Sequence, residues 1–257
     1  MIILATDWIR TALQGLQEYV RLCMSVFRCA ITRPFYYRDL VEQFNAIGMG
    51  SLPVVLLTGL FTGMVLALQS GQTLDQFGSR TYVGRLVGAA LIKELGPVLT
   101  ALLVAGRVGS GIAAELGSMV VTDQINALRS LGTDPIRKLA VPRVLAGICM
   151  LPVLTVFADF VGIVGAWVIA TSQLRIASSV YWVSVVDGLY LQDVWMGLIK
   201  PFFLGFVIVS IGCYVGLRTS GGTQGVGRAT TNAVVAGSVG VLVVDFFLTK
   251  LLIATLY

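Results

Sequence analysis

The chain has 257 residues, of which 56% are hydrophobic and 12% charged, with a mean hydropathy of +0.88. Soluble domains carry about 25% charged residues, so composition excludes an ordinary soluble domain and places the chain in a membrane. The complete lack of histidine removes Ser-His-Asp, Cys-His and histidine-metal chemistry together, and the net charge of +5 comes without a basic, aromatic-interleaved run that would make a nucleic-acid groove.

Residues 8–28 read as an amphipathic helix. Ile9, Leu13, Leu16, Val20, Cys23, Met24 and Phe27 share one face, and Arg10, Gln14, Gln17, Glu18, Arg21, Ser25 and Arg28 share the other. Charge interrupts the segment too often for a span, and no cleavage site follows a hydrophobic core, so it reads as a helix lying in the membrane interface. From Ala46 to Leu68 no residue is charged, about the length that crosses a ~30 Å hydrocarbon core. Residues 70–85 read as a polar loop. The next apolar run, Leu86 to Val121, is longer than one span needs and contains Pro97, which marks a kink or a change of direction. Two rows of small residues follow it at spacing four: Ala101, Ala105, Gly109, Ala113 and Gly117, then Gly106, Ser110, Ala114 and Ser118. Such rows let backbones approach closely, so this span is expected to have close helical neighbours.

Thr122 or Asp123 can cap a short helix that carries Ile125, Leu128 and Leu131 on one face, and Gly132 can end it. Residues 123–131 make a helix of only about 14 Å, too short to cross. Asp134-Pro135 then supplies a cap and a first-turn proline for the next helix. Further spans are expected at about 144–171, 196–217 and 233–256, with loops at 172–195 and at the glycine-rich stretch 218–232. The fold expected is therefore an all-α membrane protein: residues 1–45 form an interfacial helix and connector, and residues 46–257 form a five-span domain.

Charge placement gives an orientation. Arg10, Arg21, Arg28, Arg33, Arg38, Arg129, Arg137, Lys138, Arg143, Arg218 and Arg228 fall on one side; only Arg80, Arg85 and Arg175 fall in the opposite loops. The positive-inside rule puts the larger set, the N-terminus and the short helix in the cytoplasm, and the C-terminus outside.

Gly109-Ser-Gly111-Ile-Ala-Ala114 has the outline of a dinucleotide fingerprint, but it lies inside a membrane helix with no preceding strand. The glycine-rich stretch 221–227 is not followed by Gly-Lys-Ser/Thr, so the sequence contains no P-loop and the chain is not expected to hydrolyse ATP by itself. Cys23, Cys29, Cys149 and Cys213 form no metal-ligand pattern, so no metal and no cofactor is expected. The costly residues are those charged within spans. Arg107 and Glu115, eight positions apart, are expected to form a buried charge pair; Lys93 and Glu94, near Pro97, are expected to meet a polar headgroup or a neighbouring charge. Asp159, Asp245, Lys200 and Lys250 are expected to snorkel or to pair locally.

Several motifs resemble the MlaE-type permeases of bacterial lipid-trafficking ABC transporters. They are Glu94-Leu-Gly-Pro97, Ala105-Gly-Arg107-Val-Gly109, Ala114-Glu-Leu-Gly117, Gln124-Ile, Ala127-Leu128, Gly132-Thr-Asp-Pro135, Pro142-Arg143 and Gly225-Val-Gly-Arg-Ala-Thr-Thr231. Lys93 stands where the family often has arginine, which keeps the charge but loses the bidentate fork. The resemblance implies a homodimeric permease of the bacterial inner membrane, not itself an enzyme. It implies phospholipid as cargo, moved between inner and outer membranes, and as partners a cytosolic ABC ATPase, a STAS-domain protein and a periplasmic MCE-domain hexamer. On that reading Val65, Leu66, Leu74, Phe77, Leu95 and Val98 form an apolar wall for lipid tails, with Lys93 and Glu94 at the headgroup. Gln124, Ile125, Leu128, Arg129, Leu131 and Asp134 form the contact with the ATPase. The alternatives are an ion- or proton-coupled secondary transporter using the buried charges, and an intramembrane serine hydrolase built on Ser110, which would need Lys93 as its base.

Overall fold

The computed structural model describes residues 2–32 and 36–256, with the backbone alone for residues 2–9, 11 and 12. The Ile9 side chain of the expected amphipathic face and Arg33 of the expected cytoplasmic charge set lie outside the described residues. Eight helices make up the fold, with no strand among the described residues. They are α1 (Ile2–Ile31), α2 (Tyr37–Asp75), α3 (Arg80–Val121), α4 (Gln124–Ser130), α5 (Ile136–Ser172), α6 (Ser178–Asp187), α7 (Leu191–Leu217) and α8 (Gly222–Leu256). α2, α3, α5, α7 and α8 are long and apolar enough to cross a membrane, so the chain is a five-span, all-α membrane protein.

Three stretches that read as loops are largely helical. α2 continues to Asp75 and α3 begins at Arg80, leaving four residues between them. Residues 172–195 contain α6, whose Tyr181 is fully buried and donates a hydrogen bond to the Ile163 carbonyl at 2.9 Å. The glycine-rich stretch turns at Gly221 and Gly222, both at positive φ, and is helical from there on. Glycine weakens a helix by about 1 kcal/mol relative to alanine, but at Gly225 a Cβ would overlap the Ser220 carbonyl, so only glycine lets this first turn lie so close to the preceding strand of chain.

Pro97 does not end α3, which continues through it to Val121. The helix widens into a π-turn at Leu91–Leu95, and the Gly96 amide bonds the Leu91 carbonyl five residues back. Proline has no N–H for the carbonyl four residues back, and its ring crowds that carbonyl; the extra residue relieves the clash. The same device precedes Pro53, at Asn45–Met49, and Pro142, at Ile136–Ala140.

Packing follows the small residues. α2 lies against α5, where a Cβ on Gly59 would come within 2.6 Å of the Ala158 carbonyl oxygen and one on Gly63 would overlap that of Gly162. The first small-residue row of α3, Ala101, Ala105, Gly109, Ala113 and Gly117, is buried: Gly212 and Gly216 of α7 sit on the Gly109 and Ala113 backbones, Gly237 of α8 lies beside Ala105, and Gly117 meets Thr219. The second row stays open, with nothing near Gly106. α1 rests on α7: Tyr19 and Ser210 hydroxyls are 2.8 Å apart, the Tyr214 hydroxyl donates to the Gly15 carbonyl at 3.0 Å, and Glu18 pairs with Arg218 at 2.8 Å. Burial among these groups raises the Tyr19 phenol to about 12. Val26 enters the core, Cys23 is half-buried, and Leu13, Leu16, Val20, Met24 and Phe27 remain as an exposed apolar stripe.

Candidate functional site

The π-turn before Pro97 has a chemical consequence. The carbonyl that Pro97 cannot bond belongs to Lys93, and it accepts instead from the Lys200 ammonium of α7 at 3.0 Å. The same Nζ lies 2.6 Å from Glu94 Oε2 and 3.4 Å from Asp245 Oδ1 of α8. An ammonium has three donors, and three oxygens surround this fully buried one. The Thr249 hydroxyl donates to Glu94 Oε1 at 3.3 Å. Lys93 Nζ is 2.8 Å from Asp193 Oδ1, and Asp193 Oδ2 accepts the Tyr190 amide at the start of α7. One ionic cluster thus ties α3, α7 and α8 together.

The cluster has a closed and an open side. Asp193 and Lys200 are wholly buried, whereas the side chains of Lys93 and Glu94 are 32% and 40% exposed. An isolated charge at mid-membrane is unfavourable by ~2.5–3.5 kcal/mol or more, so mutual pairing is what makes five of them tolerable here. Lys93 and Glu94 do meet neighbouring charges. Lys200 and Asp245, which the sequence suggests would snorkel or pair locally, pair across helices 106 and 45 positions distant from their partners. Asp193, Lys200, Asp245 and Thr249 were not legible as a site; the only signal was the charge of Lys200 and of Asp245 within apolar runs.

The expected Arg107–Glu115 pair does not form. The Arg107 guanidinium donates to the Ser51 hydroxyl of α2 at 2.8 Å, while Glu115 pairs at 2.8 Å with Arg143 of α5. Eight residues are about 12 Å of helix rise, so a shared face still leaves the two heads apart, and nearer partners on adjacent helices win. Arg143 is buried and also donates to the Leu139 carbonyl at 2.7 Å.

In the connection between α3 and α5, neither Thr122 nor Asp123 caps α4 with its side chain. Asp123 is left-handed (φ 57°), and its carboxylate accepts the Asn126 side-chain amide at 3.0 Å, while Thr122 bonds back to the Ser118 carbonyl at 2.8 Å. Gly132, at positive φ, does follow the last turn, and Asp134 Oδ1 accepts the Ile136 amide at 2.9 Å. Ile125 is buried and Leu128 half-buried against the core, so the expected two-leucine ridge is not presented outward; Leu131 alone is fully exposed, alongside Gln124 and Arg129. Leu131 lies just past α4, with a non-helical backbone (φ -82°, ψ 7°) where the chain turns toward Gly132, so it does not continue the face of Ile125 and Leu128. Cys29 contacts Asp134 at 3.6 Å, Arg137 donates to Thr32 at 3.0 Å and Lys138 pairs with Asp39 at 3.7 Å, which ties the connection to α1 and α2.

The expected apolar wall is divided. Leu66, Leu74 and Leu95 pack together on a core built of Ala67, Val83, Val87, Leu91 and Tyr181, and Val98 is half-buried, whereas Val65 and Phe77 lie on the outer surface.

Residues 40–251 match the family described as permease MlaE. The chain is 43% identical over 222 residues to a probable ABC transporter permease protein of Rickettsia typhi, an alignment covering 86% of each chain. It is 37% identical over 214 residues, 83% of its length, to the intermembrane phospholipid transport system permease protein MlaE of Haemophilus influenzae, covering 82% of that protein. It is also 37% identical over 215 residues to the chloroplastic protein trigalactosyldiacylglycerol 1 of Arabidopsis thaliana, covering 84% of this chain and 61% of that one. With five spans, and with the matched region reaching from the first into the last, the chain belongs to the MlaE permease family.

Proposed function

We propose that this chain is the membrane permease subunit of an ABC transporter that moves phospholipid between the bacterial inner and outer membranes and so maintains outer-membrane lipid asymmetry. The observation that carries the reading is the 37% identity, over most of both chains, to a permease named for intermembrane phospholipid transport. The ionic cluster supports it. Lys93 and Glu94 present both signs of charge on a partly open surface next to Leu95 and Val98, which suits a phosphate-bearing headgroup with apolar tails. Val65, Leu66, Leu74 and Phe77 extend the apolar surface along the end of α2.

The chain sits in the inner membrane with its N-terminus cytoplasmic and C-terminus periplasmic, as the arginine and lysine placement argues. Residues 1–45 serve as interfacial helix and connector to the permease domain, 46–257; the exposed stripe Leu13, Leu16, Val20, Met24 and Phe27 suits lipid contact. The sequence has no P-loop, so ATP energy enters from a cytosolic ATPase, through α4 and its flank: Gln124, Ile125, Leu128, Arg129, Leu131 and Asp134. A second copy of the chain, a STAS-domain protein and a periplasmic MCE-domain hexamer complete the assembly. α8, whose apolar Val235, Val239, Leu242, Val243, Phe246 and Phe247 are exposed in the single chain, offers ample surface for them and for lipid. The test is ATP-dependent movement of fluorescent phospholipid in proteoliposomes holding the purified permease and its ATPase. Movement lost in Glu94→Gln supports the reading; ATP-independent movement driven by an ion gradient overturns it.

A further inference from the structure

Two residues beyond Glu94, and so roughly 200° around α3, the opposite face of that helix meets a carboxylate with no partner. Asp159 of α5 is 8% exposed, and its Oδ1 is buried against the Gly96 backbone, where any side chain would collide with it. Neither oxygen has a hydrogen-bond or ion-pair partner among the described residues. The carboxylate borders a cavity of about 10 Å³, room for one water-sized particle, between α2, α3 and α5. The polar side chains of its lining are Asp159, Thr58, Thr62 and Thr100; the remainder is apolar or glycine.

The threonines are unusual in the same way. Thr155, one turn before Asp159, bonds back to the Leu151 carbonyl at 2.9 Å, as membrane threonines commonly do. Thr58, Thr62 and Thr100 make no hydrogen bond among the described residues, although Thr100 is only 2% exposed. No basic or other titratable group lines the cavity. The nearest along α3, Lys93 and Glu94, are committed to α7 and α8, and α2 carries no charged residue between Ala46 and Thr73.

We propose that this cavity is a binding site for one small alkali cation of sodium size, held by the Asp159 carboxylate and the hydroxyls of Thr58, Thr62 and Thr100. A lone carboxylate in an apolar interior is neutralised either by a proton or by a bound cation, and no basic side chain among the described residues pairs with this one. Hard cations take oxygen ligands, and all four polar side chains of the lining carry oxygen; a proton would need a single acceptor and would leave the hydroxyls idle. One carboxylate balances one positive charge, which excludes a divalent ion. The site joins α2, α3 and α5 on the reverse face of the turn that carries Lys93 and Glu94, so the bound ion clamps the helix that presents them.

The full chain in lipid nanodiscs is unfolded thermally in sodium chloride and in N-methyl-D-glucamine chloride at equal ionic strength, at several pH values from 5 to 8. Sodium is expected to raise the melting temperature saturably, on the order of 5 °C at a hundredfold excess over its dissociation constant. Asp159→Asn should fold and lose the sodium dependence entirely. Thr100→Val, which keeps the charge, should move half-saturation to roughly tenfold higher sodium. Equal melting temperatures in both salts overturn the proposal. So does a melting temperature that follows pH but not sodium, which makes Asp159 a proton site, and so does sodium dependence that survives in Asp159→Asn, which places the ion elsewhere.

Discussion

Replacing Lys200 with methionine keeps most of the stem volume and removes the one positive charge shared by Glu94 and Asp245. At 2.6 and 3.4 Å, and an effective dielectric of about 20, the two attractions are roughly 6 and 5 kcal/mol. Most of that is offset in the native protein by the dehydration of a fully buried ammonium. The variant loses the attraction and leaves two carboxylates facing each other, together with the unbonded Lys93 carbonyl. Removing one partner of a buried pair costs about 3–5 kcal/mol, and the partial exposure of Glu94 puts this case near the lower end. Glu94→Gln is a milder change. The amide oxygen still accepts from Lys200 or Thr249, and Lys200 retains Asp245 and the Lys93 carbonyl, so a loss of about 1 kcal/mol is expected. Reversible unfolding in bicelles ranks the two, and phospholipid transport by the reconstituted complex is read on the same preparations. Glu94→Gln should accumulate normally and lower the transport rate by tenfold or more, because an exposed charge is lost rather than a structural one. Lys200→Met with native stability, or Glu94→Gln with native transport or with a stability loss equal to that of Lys200→Met, would refute the division of the cluster into a structural and a functional side.

Further outcomes follow from the packing and the corrected ion pairs. A double-mutant cycle on Glu115→Gln and Arg143→Met should give a coupling of about 1 kcal/mol, modest because Glu115 is half-exposed, while the Arg107–Glu115 cycle should give none; the reverse order would restore the pair expected from spacing. Gly63→Val should abolish the folded protein because its Cβ would overlap the Gly162 carbonyl, whereas Gly106→Ala should stay within about 0.5 kcal/mol of wild type, as measured by monodisperse yield and melting temperature. Arg129→Glu combined with Leu131→Asp changes two exposed side chains, so the bundle should melt as wild type while co-purification of the ATPase falls; an undiminished ATPase yield removes α4 as the coupling contact.

The sequence by itself determined the class of the protein and the number of its spans, because crossing a hydrocarbon layer demands long runs of apolar side chains, and that demand is local. It also determined that the second span would have close helical neighbours: the row Ala101, Ala105, Gly109, Ala113, Gly117 is visible as spacing alone and is buried in the bundle. The family was legible for the same reason, since Glu94-Leu-Gly-Pro97 and its companions are contiguous in the chain. Loop boundaries were less legible. Glycine and polar residues read as breakers in water, yet at Gly225 and around Tyr181 they are contact residues of helices held by neighbours.

Only the tertiary structure decided which charges meet. Lys93 and Glu94 are adjacent in sequence but part company, one to Asp193 and one to Lys200, because 100° of helix rotation separates them. Arg107 and Glu115 share a face and still pair elsewhere, and Leu131, read as continuing the face of Leu128, lies just past the helix in a different environment. The freed carbonyl of Lys93 is implied by Pro97 alone, but that Lys200 answers it, and that none of the described residues answers Asp159, depends on how α3, α5 and α7 cross. Electrostatic partners in an apolar medium are chosen by the distance between side-chain heads, and that distance is set by helix packing rather than by position along the chain.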